Sequence, residues 1–184
     1  MPSNTPFGFR VSRHLTGGQI RHKDYPIATG YATAICTGDP VKLLNDGTIA
    51  LASAGERILG IFMGVSYVAS DGSQVFTNRW AASTAGTSIL AQVIDDPNVA
   101  YKVMSGGTPT SADVGQLADH VTGTGNAYTG TSAAYLNSST GTGSAGFRIL
   151  GLVNEPGNSG QYSVVEVQPF EFELAYHGQA TIGV

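Results

Sequence analysis

The chain has 184 residues, enough for one domain or for two small lobes that share a core. Only 12% of its residues are charged, about half the usual share, yet 41% are hydrophobic, so the composition excludes a disordered chain. The net charge of −4 argues against a general nucleic-acid binder, and a weakly charged surface suits a protein that packs in an assembly.

Residues 1–30 are predicted to form an extended, basic N-terminal arm, because prolines and the pair Gly17-Gly18 interrupt both the helical and the strand period. The arm holds four of the nine basic residues, all before the first acidic residue: Arg10, Arg13, Arg21 and Lys23. It is either a solvated terminus or a tether for an acidic surface. The first ten residues lack the apolar region of a signal peptide, so we expect the protein to be assembled in the cytoplasm.

Residues 31–184 are predicted to form a β-rich body. The segment "DPVKLL", then Asn45-Asp46-Gly47, then "TIALA" indicates a hairpin in which Gly47 takes the positive φ of the turn. The next run, "LGIFMGVSYV", contains Gly60-x-x-x-Gly64, a spacing used by membrane helices, but it is too short to span a bilayer. A buried strand, with glycines where another backbone comes close, fits this run better.

A second hairpin is predicted where "SILAQVI" and "VAYKVM" flank Asp95-Asp96-Pro97-Asn98. The segments "FRILGLV" and "YSVVEVQPFEFEL" read as strands, the latter with Phe170, Phe172 and Leu174 on one face. Only "TSADVGQLADHV" has helical spacing, over a turn or two, and residues 123–146 form a Gly/Ser/Thr-rich segment. The fold class is therefore mainly β, a small barrel or sandwich with at most one or two short helices.

No constellation of residues for catalysis or cofactor binding emerges. The glycine pattern from Gly141 to Gly146 is followed by strand-like residues, where a dinucleotide site needs a helix. The histidines lack zinc-site spacing, no Gly-x-Ser-x-Gly elbow is present, and the single cysteine, Cys36, sits among strand residues. We therefore expect neither an enzyme nor a protein that holds a metal or cofactor.

Several phrases, taken in order, resemble the small decoration proteins (cement or head-stabilising proteins) of tailed bacteriophages. They are "NTPFGFRVSRHLTGG", "GDPVKL", "ILGIFMGV", "VIDDPNVAYKV", "SADVGQLADHVTGTGNAYTGTSAAYLNSST" and "FRILGLVNEPGN", and they extend from residue 4 to about residue 158. The final segment, "EFELAYHGQATIGV", matches no phrase of that family.

The resemblance implies a structural virion protein on the outer capsid surface. Such proteins bind as homotrimers at three-fold and quasi-three-fold positions and stabilise contacts between major capsid protein subunits, with no nucleic acid or membrane as partner. Aromatic and arginine side chains are the usual interface anchors, so we expect four residues of the arm to contact the capsid: Phe7, Arg10, Arg13 and His14.

The alternative is a carbohydrate- or receptor-binding β-domain of a head fibre or tail component. Its candidate binding residues are aromatic: Tyr128, Tyr135 and Trp80. A fibre would be expected to show repeats or a coiled coil, and the sequence contains neither.

Overall fold

The computed structural model describes residues 3–141 and 145–174. Fifteen short strands and one 3₁₀ turn make up its regular structure. In chain order the strands are β1 (Arg10–His14), β2 (Lys23–Pro26), β3 (Ile35–Cys36), β4 (Pro40–Leu43), β5 (Ile49–Leu51), β6 (Gly60–Ala69), β7 (Gln74–Thr77), β8 (Arg79–Trp80), β9 (Gly86–Ile94), β10 (Val99–Met104), β11 (Leu117–Ala118), β12 (His120–Val121), β13 (Tyr135–Leu136), β14 (Phe147–Leu152) and β15 (Val164–Pro169). The predicted mainly β class is confirmed.

Two larger antiparallel sheets organise the molecule. The five-stranded sheet has the order β1-β10-β15-β14-β11, and the six-stranded sheet has the order β2-β9-β6-β4-β5, with β7 paired to β6. Each sheet carries its own hydrophobic cluster, the first containing Phe9, Tyr101 and Phe147, the second Phe62 and Trp80. Two small pairs, β3-β8 and β12-β13, complete the described strands.

Strand β6 shows why "LGIF" is continuously apolar. Ile61 belongs to the cluster of the five-stranded sheet, whereas its neighbour Phe62 belongs to the cluster of the six-stranded sheet. Both faces of the strand are therefore buried at this point, and no polar residue can alternate with the apolar ones. A Cβ at Gly60 would lie 2.2 Å from the carbonyl oxygen of Ile94, so only glycine permits this close backbone approach.

The predicted first hairpin is confirmed. Strands β4 and β5 pair antiparallel with Leu43 opposite Ile49, and Gly47 has a φ of 82°. Of the short helix predicted in "TSADVGQLADHV", only one 3₁₀ turn forms, over Ser111–Asp113. The Asp113 carboxylate accepts hydrogen bonds there from the Thr110 amide and hydroxyl. Leu117 continues into β11 instead of a helix.

The second hairpin prediction is wrong. Strand β9 pairs with β2 and β6 in the six-stranded sheet, whereas β10 pairs with β1 and β15 in the five-stranded sheet. The segment from Asp95 to Asn98 is therefore a crossover from one sheet to the other. Both predicted segments are strands with buried residues such as Val93 and Tyr101, but the burial of a strand carries no information about which strand is its partner.

Two further expectations differ from the structure. Strand β15 ends at Pro169, before the three residues that were predicted to share one face of a strand. Phe172 is buried, whereas Phe170 and Leu174 are exposed, so the three do not share a face. The division at residue 30 does not separate an arm from a body: β1 and β2, both within residues 1–30, are strands of the two large sheets. The backbone there is extended, as expected, but strand pairing builds it into the fold.

Candidate binding site

The predicted contact residue Arg13 is engaged inside the molecule. Its guanidinium donates two hydrogen bonds to Glu166 on β15, from Nε to Oε1 (3.0 Å) and from Nη2 to Oε2 (2.8 Å), and the Ser12 hydroxyl donates a third at 2.7 Å. The hydrogen bond from Arg13 is the main reason that the pKa of Glu166 is lowered. This fork-shaped pairing ties β1 to a strand that is not its direct neighbour in the sheet.

His14, another predicted contact residue, is nearly buried. Its Nδ1 accepts the backbone N–H of Gly18 at 3.0 Å, so the ring hydrogen lies on Nε2, which donates to Asp96 at 3.2 Å. Burial alone would raise the pKa of Asp96, but hydrogen bonds from the amides of Asn98 and Arg21 and from His14 lower it. The His14 ring is therefore held on both nitrogens by groups of its own chain.

Asp95 fixes the next part of the N-terminal segment. Its side chain is 3% exposed and accepts hydrogen bonds from Arg21 Nε (2.9 Å) and from the Tyr25 hydroxyl (2.8 Å). The pKa of Tyr25 is raised by burial and by the bond to Asp95. The adjacent carboxylates of Asp95 and Asp96 thus form an anchor for residues 14–25, which we call the Asp95–Asp96 anchor. The sequence Asp95-Asp96-Pro97-Asn98 indicates only a turn and does not reveal this role. The signal that could have revealed it is the basic N-terminal segment, whose charges predict acidic partners elsewhere in the chain.

The other two predicted contact residues, Phe7 and Arg10, lie together at the surface. The Arg10 guanidinium carbon is 4.8 Å from the centre of the Phe7 ring, a cation–π contact. Both side chains line a depression of about 300 Å³ between the N-terminal segment and the six-stranded sheet. We call it the Met63 groove, and it is lined chiefly by Phe7, Arg10, Thr37, Met63, Asn78 and Thr131.

Met63 reaches this groove because of a β-bulge. The pairing of β6 with β9 shifts between Phe62, opposite Val93, and Gly64, opposite Gln92, so Met63 is an extra residue on β6. A bulge re-aims the side chain of its extra residue, and Met63 is 38% exposed although it directly follows the fully buried Phe62. Methionine is flexible and polarisable, properties that suit a surface able to adapt to a partner.

The groove continues onto the solvent face of the six-stranded sheet. A neighbouring depression shares Met63 and Asn78 with it and is also lined by Phe76 and Gln92. Phe76 on β7 and Leu90 on β9 both lie opposite Ser66 on the central strand β6, and they are 73% and 42% exposed. An exposed apolar row of this kind is typical of an interaction surface.

The groove is almost uncharged. Among the described residues that line the two depressions, Arg10 is the single charged one. Thr37 and Asn78 supply polar groups, but each is already engaged: the Thr37 hydroxyl lies 2.8 Å from the Met63 carbonyl, and the Asn78 amide donates to the Thr129 carbonyl at 2.7 Å. The second of these contacts holds the loop that bears the fully exposed Tyr128.

The aromatic residues named for sugar binding do not form one site. Trp80 is fully buried and donates its indole N–H to the Tyr31 carbonyl at 3.3 Å, so it cannot stack on a sugar from solvent. Tyr128 lies on the loop beside the Met63 groove, whereas Tyr135 lines a separate cleft with Tyr162.

The described residues also bear on metal and membrane binding. Within residues 3–141 and 145–174, no three His, Cys, Asp or Glu side chains come together as a metal site. No helix in the same ranges has the length and apolarity needed to span a bilayer. Cys36 is buried, and burial raises the pKa of its thiol. Gly141 is followed by three residues outside the described ranges and then by strand β14, where a dinucleotide site needs a helix.

No family model matches the chain, and neither a curated protein nor a solved structure matches it.

Proposed function

We propose that the protein is a capsid decoration protein, which binds the outer surface of an icosahedral phage head as a homotrimer and stabilises contacts between major capsid protein subunits. It acts by adhesion and performs no reaction. The observation that carries the proposal is the Met63 groove, which is mainly apolar, with its neutral and partly polar extension to Phe76, on a weakly charged β-rich body.

The chemistry of this surface favours binding to another protein. Phe76 exposes almost three quarters of its surface, which is unfavourable in water and becomes favourable once a partner covers the ring. Aromatic residues and arginine provide most of the binding energy in protein interfaces, and the surface offers Phe7, Arg10 and Phe76.

The N-terminal segment is held before any partner arrives. The Asp95–Asp96 anchor and the pairing of Arg13 with Glu166 fix the C-terminal end of β1 and the segment that follows it. A surface already ordered in the free protein loses less conformational entropy on binding. This supports a role as a rigid clamp between capsid subunits.

The link to a phage head comes from the sequence resemblance, and the groove supports that link. Phe7 and Arg10 lie in "NTPFGFRVSRHLTGG", Met63 in "ILGIFMGV", and Thr131 in the long segment that begins at Ser111. Phrases far apart in the sequence thus contribute neighbouring parts of one surface. Within the proposal, this surface is the one that contacts the major capsid protein.

The test is attachment to empty heads assembled from the major capsid protein encoded in the same genome. We expect the wild-type chain to be a trimer in light scattering and to co-sediment with heads at saturable occupancy. Met63→Ser and Phe76→Ser each remove an anchor and are expected to weaken binding roughly tenfold. Leu152→Ser is the matched control, since Leu152 is 41% exposed but lies on β14 of the other sheet.

Two results would count against the proposal. Failure of the folded wild-type trimer to bind heads would remove the function. Equal loss of binding in all three variants would remove the Met63 groove from the contact and point to a general effect of surface apolarity.

A further inference from the structure

We propose that the Met63 groove receives an extended, apolar segment of the capsid subunit that carries a carboxylate, and that this carboxylate pairs with Arg10. The inference rests on the proposed function and specifies the chemistry of the partner at the same site. Its basis is the charge pattern of the groove and its surroundings.

Arg10 forms no ion pair within the described residues, a property it shares with Lys23, Arg57, Arg79 and Arg148, but it is the one basic residue of the five that lines the Met63 groove. Four others form ion pairs, namely Arg13 with Glu166, Arg21 with Asp95, Lys42 with Glu56, and Lys102 with Glu155. Across residues 3–141 and 145–174, no carboxylate lies within salt-bridge distance of Arg10. The residue directly opposite Arg10 on β10 is another cation, Lys102, which pairs with Glu155 at 2.9 Å.

The geometry leaves Arg10 able to bind an acidic group. The Arg10 guanidinium makes a cation–π contact with the Phe7 ring, and this contact restricts the rotation of a long and otherwise mobile side chain. The N–H donors lie along the edge of the guanidinium plane, where a carboxylate can accept two of them at once. The contact with Phe7 therefore orders the cation, and no carboxylate of the described residues occupies its donors.

The rest of the groove determines which residues of the partner segment can lie next to the carboxylate. Beyond Arg10 the lining passes to Met63, Phe76 and neutral polar residues, so a second charge on the partner would lose its hydration without a counter-charge. The fitting partner is thus a segment with one acidic residue near the Arg10 end and aliphatic or aromatic residues over Met63 and Phe76. Charge complementarity of this kind fixes the register of a bound segment.

The experiment measures head binding by Arg10→Gln, Arg10→Lys and a matched control. The control is Arg148→Gln, because Arg148 also stacks on an exposed phenylalanine, Phe170, at 4.6 Å but lies outside the groove. We expect Arg10→Gln to weaken binding roughly tenfold or more, since charge-assisted hydrogen bonds are the stronger kind. Arg10→Lys should retain part of the affinity, and Arg148→Gln should retain all of it.

Salt dependence provides a second reading. Wild-type affinity should fall as salt rises from about 50 to about 300 mM, and the fall should be smaller for Arg10→Gln than for Arg148→Gln. If Phe76→Ser weakens binding but Arg10→Gln changes neither affinity nor salt dependence, the carboxylate inference is overturned while the decoration function stands. If no variant, the wild type included, binds heads, the proposed function fails and the inference falls with it.

Discussion

The N-terminal segment contains two groups of residues that look alike in sequence and have opposite roles in the fold. Phe9 and His14 turn inward, onto Phe147 and Asp96 respectively, and Arg13 pairs with Glu166 at the surface. Phe7 and Arg10 turn outward and line the Met63 groove. Aromatic and basic side chains therefore serve as structural ties at some positions and as an exposed surface at others, and a charge count cannot distinguish the two uses.

The largest expected effect tests whether the inward group belongs to the core. Phe9 is 2% exposed and stacks on Phe147 with ring centres 4.3 Å apart. Phe9→Ala should lower the free energy of unfolding by about 3–5 kcal/mol, because it leaves a cavity beside the Phe147 ring. Urea denaturation followed by tryptophan fluorescence measures the change.

Phe76→Ala is the matched outward variant and should change the same free energy by less than about 0.5 kcal/mol. A similar loss in the free energy of unfolding for Phe9→Ala and Phe76→Ala would contradict the distinction between inward and outward residues. Deleting residues 1–20 is a poorer test, because it removes β1 and Phe9 together with the groove residues.

An intermediate effect is expected at the Asp95–Asp96 anchor. Asp95→Asn removes the charge that Arg21 pairs with and weakens the acceptor of the buried Tyr25 hydroxyl. We expect the free energy of unfolding to fall by about 1–3 kcal/mol, since Tyr25 is left with a poorer partner while the exposed Arg21 returns to water. Urea denaturation at neutral pH measures it.

Asp71→Asn is the control for that substitution, because Asp71 accepts hydrogen bonds from Ser73 in an exposed turn. An Asp95→Asn variant no less stable than Asp71→Asn would mean that the anchor contributes nothing to holding the N-terminal segment.

The smallest effect is expected for Arg13→Gln, because Arg13 is largely exposed and water screens its pairing with Glu166. The pKa of Glu166 is lowered from its ordinary value of 4.5, chiefly by Arg13. The native state therefore binds a proton less readily than the unfolded state, and this stabilisation is present above pH 4.5 and is lost as pH falls through the lower native pKa.

Arg13→Gln should consequently show a shallower loss of stability than the wild type as the solution is acidified below pH 4.5, measured by urea denaturation at a series of pH values. An unchanged acid dependence would show that Arg13 does not hold Glu166 in its charged form.

Local features were predictable where neighbours in sequence decide the structure. Asn45-Asp46-Gly47 places a turn between two short strands, and the structure has that hairpin. Asp95-Asp96-Pro97-Asn98 has equally good turn residues, yet it joins two different sheets. Turn chemistry indicates where a strand ends, but the next strand finds its partner through contacts distant in sequence, such as Val103 with Val165.

The candidate site was predictable in part for the same reason. Phe7 and Arg10 were expected to contact a partner, and they do lie at an exposed groove, although that contact itself remains a prediction. Met63 was read as part of a buried strand, and only the bulge in the pairing of β6 with β9 turns it outward. Nothing in the local sequence distinguishes Met63 from its buried neighbours.

The sequence by itself determined the β class, the positions of the five longest strands and the near absence of helix, because alternation, glycine and proline act over a few neighbouring residues. The tertiary structure decided which strands pair and which charges meet a partner within the chain. Both depend on segments far apart in sequence, as where Glu166 meets Arg13 and Asp95 meets Arg21. That long-range pairing left Arg10 exposed above the Met63 groove.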